Sequence, residues 1–151
     1  MQIINNFKFP AFFLRLAIGA SYSWEVADRL GVFGPYGTPH VGWGDWGHFV
    51  TATHQTVNFL PASFAPTLAL LATIGEASFG VLLILGLFTR IAAIGSGFLS
   101  FCFALSMTLS AGIDAPLGYS VFTLCAASFL LATLQEYKWS IDSLLSAKYS
   151  R

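Results

Sequence analysis

Charged residues are scarce in this chain of 151 residues: Asp, Glu, Lys and Arg make up 9% of it, whereas hydrophobic residues make up 56%. Soluble domains average about 25% charged residues, so this chain lacks the polar surface that a water-soluble fold needs. The formal net charge is zero and no cluster of basic residues occurs, which argues against nucleic acid as a partner. The composition therefore predicts an integral membrane protein.

Sequence motifs for common cofactors are also missing. Cys102 and Cys125 do not form a CxxC motif, no Walker or dinucleotide-binding glycine pattern occurs, and no two histidines have HxxH or HxxxH spacing. His48 and His54 are six residues apart, which is poor spacing for one metal ion. We therefore expect no metal site. The two cysteines are expected to be buried structural residues, with a dithiol pair as the alternative.

Long apolar segments are what the chain does have. Four of them are long enough to cross a bilayer, over residues 9–30, 66–88, 90–111 and 116–135. The short connections between the last three predict antiparallel neighbours. We predict an all-α membrane protein, a single membrane domain over residues 1–151 that forms a bundle of four transmembrane helices.

The basic residues that flank these segments predict the orientation of the bundle. Five of them fall on the side that holds both termini: Lys8, Arg90, Lys138, Lys148 and Arg151. The loops 31–65 and 112–115 contain no Lys or Arg. The positive-inside rule then predicts an N-in/C-in topology, with residues 136–151 as a short cytoplasmic tail.

The loop 31–65 is long, rich in tryptophan and predicted to be extracytoplasmic. Loops of this length are more often functional than incidental, because short loops suffice to join packed helices. Trp43, Trp46, Phe49 and Val50 recur at spacings of three and four. This spacing predicts a helix that lies in the membrane interface, where tryptophan rings are well suited.

Glu76 is the leading candidate for a functional residue, because it is the only charge in the segment 66–88. A helix that begins near Pro66 places Glu76 about 15 Å deep, near the middle of a hydrocarbon core about 30 Å thick. An unpaired charge at that depth costs several kcal/mol, so ionisable residues within membranes are usually functional.

The first predicted helix supplies candidate partners for Glu76. At 100° per residue, Arg15, Tyr22, Glu25 and Arg29 lie on nearly one face, and Asp28 lies off it. Depths of about 9 Å for Arg15 and about 15 Å for Glu76, measured from opposite sides, leave about 6 Å between them. We therefore predict that Arg15 pairs with Glu76 or shares a polar cavity with it, and that Tyr22 contributes a hydroxyl.

Two interpretations of these polar residues stay open. In the first, Glu76 and Arg15 carry chemistry, and a ligand is bound by Tyr22, Glu25, Arg29, Trp43, Trp46 and His48. In the second, Arg15 and Glu76 form a structural ion pair that locks two helices. For Glu25, Asp28 and Arg29, at the outer end of the helix, a helix-end ion-pair network is the interpretation that we favour.

Several segments resemble the DoxX family of small bacterial membrane proteins. They are RLAIGASYSWEVADRLGVFGPYG from Arg15, WGDWGHF from Trp43, the Glu76 segment ATIGEASFGVLLIL, the GLFTR turn of residues 86–90, and ALSMTLSAGIDAPLGYSVFTLCAASFLL from Ala104. The resemblance covers most of residues 10–133. It implies a four-helix bundle in the bacterial inner (cytoplasmic) membrane and an association with redox systems, since relatives include a subunit of thiosulfate:quinone oxidoreductase.

The residues and the resemblance together leave three functions to compare. The first is a redox-associated subunit that binds a quinone or similar lipophilic molecule, alone, as a homo-oligomer or with a partner redox protein. The second is a non-catalytic binding or transport protein for a small apolar molecule or membrane lipid. The third is an assembly factor for a partner complex. Quinone is the one candidate cofactor.

Overall fold

The regular structure of this chain is all helical. The computed structural model describes residues 7–149, and no strand occurs among them. Within that range the α-helices are α1 (Lys8–Arg29), α2 (Trp46–Thr56), α3 (Ala65–Leu85), α4 (Thr89–Ala111), α5 (Asp114–Gly118), α6 (Val121–Thr133) and α7 (Ile141–Tyr149). A short 3-10 helix, Ala62–Phe64, leads directly into α3. Residues 1–6 and 150–151 lie outside the described residues, and with them Arg151 of the predicted charge bias.

The four longest helices form a bundle in the order α1, α3, α4, α6, and α6 closes the ring against α1. Small residues bring these helices together. An added Cβ at Gly19 of α1 would lie 2.9 Å from the carbonyl oxygen of Gly80 in α3. At Gly97 of α4, an added Cβ would lie 2.7 Å from the ring of Phe129 in α6. The glycines therefore serve close helix packing, as is common between helices in membranes.

Two helical stretches among the described residues are long and apolar enough to cross a membrane: Ala62–Leu85 and Thr89–Ala111. They expose large apolar side chains on the outside of the bundle, among them Leu71, Val81, Phe98 and Leu109. Water would disfavour such a surface, whereas lipid solvates it. The chain is therefore a membrane protein, and its crossing by four helices stays a prediction.

The helix predicted over residues 116–135 is interrupted in the structure. α5 ends at Gly118, α6 begins at Val121, and Ser120 between them has a left-handed φ of 57°. A left-handed residue cannot continue a right-handed helix. The prediction missed this break because the apolar composition continues across it, although Gly118 and Ser120 have lower helix propensities than their neighbours. At 13 residues, α6 is only about 20 Å long.

Helix α2 lies within the loop 31–65 and packs on the bundle, mainly against α3. Asp45 caps its first turn, where the Asp45 carboxylate accepts a hydrogen bond from the backbone N–H of His48 at 2.9 Å. Phe49 is the residue of α2 that is buried. The loop therefore covers one end of the bundle, and its location in the membrane interface stays a prediction.

At the opposite end of the bundle, α7 is attached to the turn between α3 and α4. The Asp142 carboxylate accepts hydrogen bonds from the backbone N–H groups of Phe88 and Thr89, both at 2.8 Å. The backbone N–H of Asp142 in turn donates to the carbonyl oxygen of Gly86 at 2.9 Å. The segment 136–151, predicted only as a tail, thus contains a helix that is docked on the GLFTR turn.

Gly86 should be intolerant of any side chain. Its φ of 67° is left-handed, and an added Cβ would overlap the guanidinium of Arg15 and the side chain of Ser140. We expect Gly86→Ala to lower the melting temperature of the detergent-solubilised protein by roughly 5–10 °C. Gly118→Ala is the matched control, because an added Cβ there meets no atom within 4 Å. Equal melting temperatures for the two variants would contradict this packing.

Candidate functional site

Glu76 lies midway along α3, on the stripe that faces the rest of the bundle. The buried residues of α3 recur every three or four positions, and Glu76 is one of them together with Ala65, Ala69, Ala72, Gly80 and Leu83. Only 4% of Glu76 is exposed. Because its neighbours on the stripe are small, the carboxylate can approach the side chains of other helices.

The partner of Glu76 is Arg29, the last residue of α1. The Arg29 Nη1 atom lies 2.6 Å from Glu76 Oε2, and both side chains are almost completely buried. The same Nη1 donates a hydrogen bond to Thr73 Oγ1 at 2.9 Å, and Arg29 Nε donates to the Glu25 carbonyl oxygen at 3.0 Å. The guanidinium is therefore fixed by groups on both α1 and α3.

An aromatic ring from the loop covers the Arg29 guanidinium. The guanidinium carbon lies 3.7 Å from the centroid of the Phe49 ring in α2, a geometry that attracts a cation to the face of the ring. Trp43 and Trp46 pack against Phe49, with ring centroids 5.6 and 5.8 Å away. The ion pair is thus enclosed by three helices, α1, α2 and α3.

The predicted pairing of Arg15 with Glu76 is wrong. Gly19 of α1 packs beside Gly80 of α3, and Arg15 consequently lies beside Gly86, just beyond the end of α3. Gly86 is ten residues past Glu76, which corresponds to about 15 Å along a helix. The prediction measured each depth from the start of its own helix. The two depths cannot be compared in this way, because the first residues of α1 extend past the end of α3 by more than one turn.

Arg15 instead connects α1 to the segment before α7. Its Nη2 donates a hydrogen bond to the carbonyl oxygen of Trp139 at 2.6 Å, and its guanidinium carbon lies 5.4 Å from the Phe12 ring centroid. Only 2% of Arg15 is exposed. The structure therefore places Arg15 and Glu76 at separate sites, and Arg15 serves as a link between helices.

Tyr22 is buried, but its hydroxyl is engaged with α4 and not with the Arg15–Glu76 cavity to which we predicted it contributes. The Tyr22 hydroxyl donates to the Ser96 carbonyl oxygen at 3.0 Å and lies 2.7 Å from Ser100 Oγ. Ser96 Oγ also lies 2.9 Å from Ser128 Oγ of α6. This hydroxyl network joins α1, α4 and α6. The spacing of Ser96 and Ser100 by one helical turn indicates a shared face, a sequence signal that could have found this network.

Asp28 ties the loop over the end of α1. Its Oδ2 accepts hydrogen bonds from the backbone N–H groups of Gly42 at 2.9 Å and Trp43 at 2.8 Å. The Trp43 indole N–H donates to Glu25 Oε2 at 3.3 Å. Sequence analysis grouped Asp28 with Glu25 and Arg29 in a helix-end ion-pair network, although Asp28 lies off the polar face of α1. Its burial arises from a loop contact that helical periodicity does not report.

His48 is directed away from the Arg29–Glu76 pair. Its Nδ1 lies 2.7 Å from Asp45 Oδ2, and its ring stacks on Tyr36 at a centroid distance of 4.0 Å. Both His48 and Asp45 are exposed. The structure thus brings together Glu76, Arg29, Glu25, Trp43 and Trp46, and it leaves His48, Tyr22 and Arg15 in other contacts.

The remaining candidate side chains are dispersed. Among residues 7–149, no three His, Cys, Asp or Glu residues are grouped so that they could hold a metal ion. Cys125 is buried and its thiol donates to the Gly97 carbonyl oxygen at 3.4 Å, whereas Cys102 is exposed on α4. Both cysteines are free thiols.

The Arg29–Glu76 pair combines two chemical capacities in one buried place. A guanidinium can donate hydrogen bonds to a carbonyl oxygen and polarise it. A carboxylate at hydrogen-bond distance can accept or return a proton. Glu76 Oε2 forms an ion pair with Arg29 but makes no aligned hydrogen bond within the described part of the chain, so its acceptor capacity is not used up.

One comparison with known proteins gave a match. A family model described as TQO small subunit DoxD matches residues 31–151. The match includes Glu76, Thr73 and the loop residues Trp43 and Phe49, and it begins just after Arg29. No curated protein and no solved structure matched this chain.

The Arg29–Glu76 contact should show strong energetic coupling. Arg29→Gln or Glu76→Gln alone leaves an uncompensated buried charge, and we expect each to destabilise the protein by about 3–5 kcal/mol. The double variant should lose less than the sum, with a coupling energy above about 1 kcal/mol. Unfolding in mixed micelles measures these free energies.

The cycle of Arg15→Gln with Glu76→Gln is the control for that measurement. Because these residues lie at separate sites, their effects should add within about 0.5 kcal/mol. Strong coupling of Glu76 to Arg15, with additivity toward Arg29, would support the pairing that the sequence predicted and contradict the structure.

The cap on α2 should depend on pH. The hydrogen bond from the His48 backbone N–H, followed by that from the His48 ring, lowers the pKa of Asp45. Because the folded-state pKa lies below the unfolded value of about 3.9, this stabilisation is present above that value and lost as the pH falls through the folded pKa. We expect amide protection in α2 to drop on acidification. Asp45→Asn should remove this pH dependence, since asparagine caps without titrating; an unchanged pH profile would refute it.

Proposed function

Because this chain belongs to the DoxD family of membrane proteins, we propose that it is a redox-associated membrane subunit in which the Arg29–Glu76 pair binds the polar end of a quinone-like carrier. The observation that carries this proposal is a buried guanidinium nitrogen 2.6 Å from a buried carboxylate oxygen that makes no aligned hydrogen bond among residues 7–149. The carbonyl of a quinone would accept from the guanidinium, and the hydroxyl of the corresponding quinol would donate to the carboxylate.

The side chains around the pair fit such a ligand in chemical type. Arg29 supplies donors for a carbonyl oxygen, and Glu76 supplies an acceptor for a hydroxyl proton. Thr73 and the Glu25 carbonyl hold the guanidinium in place, so its donors are oriented before a ligand binds. When bound, a quinone would supply two-electron, two-proton chemistry.

The chain's own residues would then perform three tasks. Arg29 holds and polarises the carbonyl oxygen, and Glu76 receives or returns the proton at Oε2. Phe49, over the guanidinium, keeps water from the pair, and Trp43 and Trp46 form the outer wall. The electrons would be exchanged with a partner redox protein.

We further propose that α1 and α6 cross the membrane together with α3 and α4. Both termini would face the cytoplasm of a bacterium, since Lys8, Arg90 and Lys138 all lie at the end of the bundle away from α2. The ion pair would then lie near the mid-depth of the inner membrane, because Glu76 is midway along α3. A quinone diffusing within the bilayer could reach that depth from between the helices.

Analysis of co-purified quinone tests this function. The protein is expressed in quinone-containing bacterial membranes, purified in mild detergent, extracted with organic solvent and analysed by mass spectrometry. We expect quinone in the parent protein, and a loss of about tenfold or more in Glu76→Gln and Arg29→Lys. Glu76→Gln removes the anionic proton acceptor, and Arg29→Lys keeps the charge but replaces the planar guanidinium that Thr73 and the Glu25 carbonyl orient. Arg15→Lys, at the other site, should retain it.

Two results would overturn the proposal. One is a parent extract without quinone that also gains none when quinone is added to the micelles. The other is quinone retention in both site variants together with lowered melting temperatures, which would assign the pair to helix locking alone. Monodisperse elution of each variant ensures that lost binding does not reflect unfolding.

A further inference from the structure

A cavity of about 600 Å³ lies at the end of the bundle opposite α2, where α1 begins, α3 ends and α7 begins. Its volume falls within the range of about 300–1,000 Å³ that is typical of small-molecule sites. The walls come from parts of the chain that are far apart in sequence, including Lys8, Leu85, Lys138, Trp139 and Leu144. No other function described above uses this cavity.

Two lysines give the cavity its charge. Lys8 is the first residue of α1, and Lys138 lies after the end of α6. Both lysines line the cavity. Glu136 competes for Lys138, since its Oε2 lies 3.2 Å from Lys138 Nζ. Both side chains of that pair are about half exposed, so the pair is weak and a second anion can share the lysine.

The serine hydroxyls at the cavity are already in use. Ser140 Oγ donates to the Tyr137 carbonyl oxygen and accepts from the backbone N–H of Ser143. Ser143 Oγ donates to the Ser140 carbonyl oxygen at 2.7 Å. Recognition of an anion in this cavity therefore rests on Lys8 and Lys138.

The other walls are apolar and face outward. Leu144 is 71% exposed and Trp139 is 60% exposed, while the Trp139 ring packs edge-on against Phe12 at a centroid distance of 5.4 Å. A tryptophan at a helix end beside lysines is typical of the headgroup level of a membrane. Cationic and apolar walls in one cavity match a ligand that has an anionic head and hydrocarbon chains.

We propose that this cavity binds an anionic phospholipid of the adjacent leaflet. The phosphate lies between the Lys8 and Lys138 ammonium groups, and an acyl chain runs along Leu85 and Leu144. Because α1, α3 and α7 all contribute to the cavity, the bound lipid also holds α7 against the bundle. A zwitterionic lipid carries a cationic group toward the two lysines and is disfavoured by like-charge repulsion.

Native mass spectrometry with defined lipids tests the proposal. The protein is titrated with phosphatidylglycerol or with phosphatidylcholine in detergent. We expect one phosphatidylglycerol to bind more tightly than phosphatidylcholine, and a Lys8→Gln/Lys138→Gln variant to bind it about thirty-fold more weakly, at about fivefold per lysine. Arg90→Gln is the matched control, because Arg90 is an exposed cation at the same end that does not line the cavity.

A second measurement uses stability in place of binding. Phosphatidylglycerol should raise the melting temperature of the parent protein and of Arg90→Gln, but not that of the double lysine variant. Three results would overturn the proposal: equal affinity for the two lipids, an unchanged affinity in the double variant, or the same stabilisation by inorganic phosphate alone. The last would mean that the lysines bind a free anion.

Discussion

The ion pair between Arg29 and Glu76 constrains the structure more than any other single contact. A carboxylate in the middle of an apolar helix is strongly disfavoured unless a cation reaches it, and Arg29 reaches it from the very end of α1. This requires α1 and α3 to approach closely, which Gly19 and Gly80 permit. It also requires a cover over the guanidinium, which Phe49 provides. Burial of the Glu76 charge thus accounts for the offset of α1 against α3, for the close approach of these helices and for the position of Phe49.

The two arginines of α1 act at opposite ends of the bundle. Arg29 fixes the end covered by the loop, and Arg15 fixes the end where α7 docks through the Trp139 carbonyl. Asp142 completes the second end by capping α4. Between them, the Tyr22 hydroxyl joins three helices without any charge. The polar groups of α1 therefore divide into three separate contacts, and the one at Arg29 pairs a cation with a buried carboxylate.

Sequence analysis predicted a membrane protein because the composition is strongly apolar. It singled out Glu76 because this residue is the only charge in an apolar segment. It failed where the outcome depends on how two helices are offset. Arg15 and Arg29 lie on the same face of α1, so periodicity could not choose between them as the partner of Glu76. The contact of Asp28 with the loop was missed for a related reason, since its backbone partners at Gly42 and Trp43 belong to a loop with no periodic signal. The break at Ser120 was hidden by an uninterrupted apolar composition.

The central claim is that Arg29, and not Arg15, contacts Glu76 in the membrane. Solid-state NMR on the protein in lipid, with ¹⁵N-labelled arginine and ¹³C-labelled glutamate, measures the dipolar contact between a guanidinium nitrogen and the Glu76 carboxyl carbon. An Arg29–Glu76 pair predicts a strong contact that disappears in Arg29→Lys and persists in Arg15→Lys. A contact that disappears in Arg15→Lys and persists in Arg29→Lys would contradict the structure.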